Sequence, residues 1–130
     1  MTVSIDLALV EAALVAMRQA LLGAKAPKGG WVLGLQDPGT VVWPYVDLDV
    51  QWNQAEATGA ATVVETVHAN TRPEALAIAA KIATTLTRRS YAGTGVRIIG
   101  HELVTGPRVH RQATGTTAEL TWRAPIGWKP

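Results

Sequence analysis

Along residues 45–52, YVDLDVQW, apolar and polar positions alternate. Val46, Leu48, Val50 and Trp52 fall on one side, and Tyr45, Asp47, Asp49 and Gln51 on the other. A period of two is that of an extended strand with one face buried, and Pro44 marks its entry. The pattern returns near the C-terminus, where Ala118, Leu120, Trp122 and Ala124 alternate with Glu119, Thr121 and Arg123. The turn ATGT at 113–116 then predicts a hairpin with RVHRQ, residues 108–112. Shorter β-rich segments are WVLGLQ (31–36), TVVETVHA (62–69) and VRIIGHELV (96–104). AKAPKGG (24–30), DPGT (37–40) and the small-residue stretch NQAEATGAA (53–61) read as loops.

Two segments carry the helical period instead. Over residues 4–22, Leu7, Val10, Leu14, Met17 and Leu21 form one stripe. Ser4 is available as N-cap, Asp6 is placed in the first turn, and Gly23 is a stop. Ile5, Leu9, Ala12, Ala13, Ala16 and Ala20 make a second, smaller-residue face, leaving Glu11 and Arg18 as the polar strip. A helix apolar on two sides is sandwiched within its domain or buries one side against a partner. In the second segment, 71–89, Thr71 and Glu74 have capping-box spacing and Pro73 sits in the first turn. Ala75, Ile78, Ala79, Ile82, Ala83 and Leu86 share a face, opposite Lys81 and Arg88.

The order helix, strands, helix, strands predicts an α+β fold. The expected sheet is mostly antiparallel or mixed, of four to five strands, with both helices packed on one side. Residues 1–130 are long enough for one domain with its own core. The tail GWKP at 127–130 has three fates open: docking on the same domain, fraying, or, through Trp128, reaching a neighbouring subunit.

Composition narrows the chemistry. Hydrophobic residues at 48% and charged residues at 17% exclude disorder, and the absence of cysteine removes disulfides and thiolate sites together. The apolar run from Ile5 to Leu22 is interrupted by Asp6, Glu11, Arg18 and Gln19, so neither a membrane span nor a signal peptide is expected. The net charge of +2 conceals an asymmetry: residues 1–65 hold three Lys/Arg against seven Asp/Glu, and residues 66–130 hold nine against three. Such a division is ordinary surface variation, or it is a signal for head-to-tail contact between copies.

No catalytic constellation emerges. Ser4 and Ser90 lack a nucleophile motif. His68, His101 and His110 lack metal-ligand spacing. Asp47 and Asp49 share a strand face, as acidic residues on a solvated strand commonly do. YAGTG, residues 91–95, lacks a phosphate-loop lysine and leads into a strand rather than a helix. Arg88, Arg89, Arg97, Arg108 and Arg111 would attract a phosphate backbone, without an aromatic platform beside them. No cofactor is called for.

The succession VVWPYVDLDV, TVVETVHANTRPEALAIAAKIATTL and GHELVTGPRVHRQATGTTAELTWRAPI resembles the tail-terminator, or tail-completion, proteins of long-tailed bacteriophages and phage-like gene transfer particles. The resemblance covers about residues 5–126. It departs at residues 51–62, which are Ala-rich where relatives carry a more polar loop. It implies a non-enzymatic virion protein, assembled in the host cytoplasm. Six copies would form a ring that caps the tail tube, stops its growth and meets the head–tail connector, or stopper, protein. DNA would pass through the lumen without sequence-specific contact, and no membrane partner is implied. Glu11, Arg18, Arg88, Arg89, Arg108, Arg111 and Trp128 are then the candidate interface or lumen residues. A neighbouring neck component and a small nucleic-acid-binding module are the alternatives.

Overall fold

The computed structural model describes residues 5–33, 41–55 and 58–129. Helix α1 (Leu7–Leu22) opens the chain, followed by a 3-10 turn (Gly23–Lys25) and strand β1 (Trp31–Leu33). Strands β2 (Tyr45–Ala55) and β3 (Thr58–Ala69) form a long hairpin, and helix α2 (Arg72–Leu86) follows. Then come β4 (Tyr91–Ala92), β5 (Val96–Ile98), β6 (Glu102–Gln112) and β7 (Gly115–Trp128).

These strands make one mixed sheet in the order β1-β2-β3-β7-β5-β4, with β6 also on β7. Only β1 and β2 run parallel; the other pairings are antiparallel. The long β7 pairs with β3 along one edge. It shares its other edge between β6, over Gly115–Arg123, and β5, over Ile126–Trp128. The α+β class and the two helices stand, but the sheet has seven strands rather than four to five. The short β1, β4 and β5 are too brief to leave a period in the sequence.

The alternating patterns do set the core face. Val46, Leu48, Val63, Val67, Ala118, Leu120, Trp122 and Ile126 are buried beneath the helices with Val10, Leu14 and Met17 of α1 and Ala75, Ala79, Ile82 and Leu86 of α2. Fully burying each large aliphatic side chain contributes about 1.5–3 kcal/mol. Alanines at 75 and 79 let α2 lie close to the strands. Thr71 accepts from the Glu74 backbone N–H at 3.3 Å, and the Glu74 carboxylate accepts from the Asn70 N–H at 3.3 Å. This is the expected capping box with its return bond one residue early.

Several expected boundaries move. Ser4 and DPGT lie outside the described residues, as do positions 34–36 of WVLGLQ. Helix α1 starts at Leu7 with Asp6 as its N-cap residue, and Leu7 is 41% exposed instead of joining the buried stripe. Of residues 53–61, read as a loop, 53–55 and 58–61 instead continue the paired strands β2 and β3, and 56–57 lie outside the described residues. Residues 96–104 do not form one strand: the chain leaves the ladder after Ile98 and re-enters it at Glu102, which takes His101 into the interior. The tail is not loose, since β7 reaches Trp128, which pairs with Val96, and the Lys129 N–H bonds the Gly95 carbonyl at 3.1 Å.

Candidate functional site

The most elaborate polar arrangement is sealed inside the fold. Glu65 sits on the core face of β3 between Val63 and Val67, wholly buried. Its carboxylate accepts four hydrogen bonds. Arg18 donates from Nε at 2.8 Å and from a terminal nitrogen at 3.1 Å, Trp31 Nε1 donates at 2.7 Å, and Trp122 Nε1 donates at 2.8 Å. The arginine also donates to the Leu14 carbonyl at 3.1 Å and lies 3.0 Å from His101 Nε2. An arginine can only donate, so His101 Nε2 is the acceptor and the ring proton sits on Nδ1. Burial first, then the Arg18 charge, hold the His101 pKa down to about 2, so the ring is neutral. Its face lies 4.1 Å from the Trp122 ring.

This hub ties α1, β1, β3, β7 and the β5–β6 connection to one carboxylate. It corrects the placement of Arg18, which was expected beside Glu11 on an exposed strip. Arg18 lies one turn beyond Leu14 and so falls on the buried stripe, where Glu65 compensates it. Arg18 is 0% exposed and cannot meet a partner as the chain is folded.

Among the described residues, no helix covers the opposite face of the sheet. At one end Tyr45 and His68 stack in register, 4.5 Å apart and 3° from parallel, with Trp43 edge-on at 5.3 and 6.0 Å. Burial lowers the His68 pKa, while burial and then the Asp47 charge raise that of Tyr45. Next along β2, the Oδ1 atom of Asp47 is buried without a hydrogen-bond partner. Burial, and then the charge of Asp49, push the Asp47 pKa above its ordinary value. Beyond Leu48, no described strand covers the outer edge of β2.

Surface charge is unevenly spread. On β2 Asp47 is half-exposed and Asp49 exposed, whereas α1, which carries Asp6 at its N-cap and Glu11, packs against β5, β4 and α2 as well as β2. The flank built from β6 and α2 exposes Arg72, Lys81, Arg88, Arg89, Arg108 and Arg111 against Glu74 and Glu102. Among the described residues, Arg18–Glu65 is the one ion pair, so no described acidic side chain is paired with a surface arginine. Arg88 adopts φ 62°, a left-handed conformation usual for glycine after a helix, and its N–H bonds the His101 carbonyl at 2.8 Å. Trp128 is 49% exposed.

Two grooves cross the surface. One, of about 730 Å³, lies between the start of α2 and the β6–β7 turn, and includes Arg72 and Arg111. The other, of about 340 Å³, runs along Leu9, Ala12 and Ala16 of α1 beside Tyr91 and Lys129. Among the described residues no group of three or more His, Asp or Glu is placed to hold a metal ion.

Comparison with known proteins places this architecture. No family model and no curated protein matches the sequence. Seven chains of solved structures match. One belongs to the virion of a native gene transfer agent particle: it superposes with a TM-score of 0.65 over 94% of this chain and 99% of its own, at 20% identity. The two chains share one fold.

The hub residues other than Arg18 escaped the sequence reading. A signal for one of them existed: Glu65, like Arg18, occupies a core position of an apolar pattern, and opposite charges at two such positions predict a buried pair. Nothing comparable marks His101, or the two indole N–H groups that complete the carboxylate.

Proposed function

We propose that this chain is a structural virion protein that ends a phage-type tail, forming a ring on the tail tube that stops its growth and meets the head–tail connector. The observation that carries this reading is the end-to-end fold likeness to a chain of a gene transfer agent virion, over 94% of this chain and 99% of that one. The sequence resemblance to tail terminators, found from different features, points the same way. The interior supports a building role rather than a reaction: the one elaborate polar cluster is sealed from solvent and serves to lock five elements together.

In this reading the ring is a hexamer of this chain, and the unpaired surface charges are its contact groups. Glu11, Arg108, Arg111 and Trp128 belong to subunit or partner interfaces. Arg88 and Arg89, at the exposed end of α2, belong to the lumen or its rim, where DNA passes with weak, sequence-independent contact. Assembly takes place in the host cytoplasm and the protein resides in the virion at the head–tail joint. The test is capture and growth arrest in vitro. The purified chain should bind preformed tail tube in preference to the portal complex, and should stop tube elongation when added to polymerising tube protein. Binding to the portal complex alone would instead assign it to the connector.

A further inference from the structure

We propose that the groove between the start of α2 and the β6–β7 turn, walled by Arg72 and Arg111, docks an extended, carboxylate-bearing segment of a partner protein. Such docking does not depend on the ring reading.

The fold brings the two walls together from distant parts of the chain. Along β6, Val109 and Arg111 alternate with Arg108 and His110, so they share the face that carries the helices. Arg111 pairs across the hairpin with Thr116, which lines the groove from a buried position. On the other side the chain leaves β3 at Ala69 and turns into α2, and Asn70, Thr71 and Arg72 make the facing wall.

The lining is one-sided in its chemistry. Arg72 and Arg111 bring guanidinium groups, Asn70 and Gln112 amides, and Thr71 and Thr116 hydroxyls, while no carboxylate lines the groove. Glu74, in the first turn of α2, has its carboxylate on the Asn70 N–H at 3.3 Å and is not part of the lining. Both arginines are exposed, and neither has an ion-pair partner among the described residues. Two unpaired guanidinium forks on facing walls match carboxylates, which they grip with paired hydrogen bonds.

Size and shape select the bearer of those carboxylates. A volume of about 730 Å³ is far more than a single ion fills. Pockets for small molecules are lined mainly by apolar and aromatic side chains, whereas here Val109 and Ala113 are the apolar side chains and no aromatic ring takes part. Duplex DNA carries its phosphates on a convex cylinder, which rests on ridges rather than filling a concavity. An extended peptide fits, since β6 has β7 on one side and no described strand on the other. Main-chain groups at that edge are placed to pair with an added segment while the arginines take its acidic side chains.

The test titrates the isotope-labelled full chain with a blocked peptide of about seven residues alternating Glu and Thr, long enough to run the groove as a strand. Amide shifts and calorimetry are the readouts. The acidic peptide should shift the amides of Arg72, Arg111 and Thr116, and its Gln counterpart should bind about tenfold more weakly or not at all. Arg72→Gln combined with Arg111→Gln should weaken the acidic peptide by a similar factor with unchanged circular dichroism. Lys81→Gln, which removes an exposed charge from the middle of the same helix, should not. Arg72→Glu with Arg111→Glu should instead prefer the Lys counterpart. An acidic peptide that leaves those amides unmoved, or binds the double Gln variant as well as wild type, would overturn the proposal. Duplex DNA or inorganic phosphate shifting the same amides more strongly than the peptide would also overturn it, handing the groove to nucleic acid or to a simple anion. None of these outcomes bears on tube binding or growth arrest, which test the ring reading separately.

Discussion

Glu65 is the residue on which most of the fold converges, and its environment sets sharp expectations. Replacing it with Gln leaves the Arg18 charge buried without a counter-charge, and removing one partner of such a pair costs about 3–5 kcal/mol. Chemical denaturation should show that loss for Glu65→Gln. It should also show a strongly non-additive cycle with Arg18→Met, since both act on one interaction. His101 predicts a pH dependence. Its folded pKa, about 2, lies far below the ordinary 6.5, so above pH 6.5 both folded and unfolded chains hold it neutral. As pH falls below 6.5 the unfolded chain takes up a proton that the folded chain refuses. Stability is therefore lost at about 1.4 kcal/mol per pH unit. The lowered His68 pKa acts in the same direction. The raised Asp47 pKa acts the other way, favouring the folded chain as pH falls towards 3.8, so the comparison belongs between pH 7 and 5. Urea midpoints over that interval should fall less steeply for His101→Gln than for wild type; equal slopes would show that His101 is not held neutral. At this scale the sequence was partly readable. Glu65 and Arg18 stood at core positions of visible patterns, whereas His101 enters the core through a break in the strand that no local pattern announces.

Among the elements, those with long uninterrupted periods were legible: β2, the second strand of the final hairpin, and α2 with its cap. Residues 53–55 and 58–61 were not, because Ala, Gly and Thr are turn-like by composition. Their strand state comes from pairing across the hairpin, where a side chain at Gly59 would collide with the Asn53 carbonyl. Contacts to the start of the chain hold the same region, with Trp52 Nε1 donating to the Ile5 carbonyl at 3.1 Å. For α2, Thr71→Ala should lower stability by about 1 kcal/mol in thermal or urea unfolding, the usual worth of an N-cap. The C-terminal end gives the opposite expectation. Arg88 has φ 62°, so Arg88→Gly should leave stability unchanged or raise it by up to ~1 kcal/mol. A variant that is more stable yet assembles poorly would mean the arginine side chain is kept for contact; one that is clearly less stable would show that it packs within the chain.

For the whole molecule, the basic character of the second half of the chain is gathered in space on α2, β6 and the segment after α2, which expose Arg72, Lys81, Arg88, Arg89, Arg108 and Arg111. By length and apolarity alone Leu7–Lys25 would qualify as a membrane span, yet Arg18 is paired within the core and Val10, Leu14 and Met17 pack on the sheet, so this is a core helix. Seven strands, a mixed order and a sealed ionic hub describe a rigid brick, which suits a part that must hold its shape within a larger particle. Electron microscopy of particles assembled without this protein tests the terminating role most directly, by recording tail length and head attachment. Tails that are overlong or variable in length and lack heads are the predicted result. Tails of uniform length without heads would move the protein to the connector, and normal, infectious particles would contradict the account.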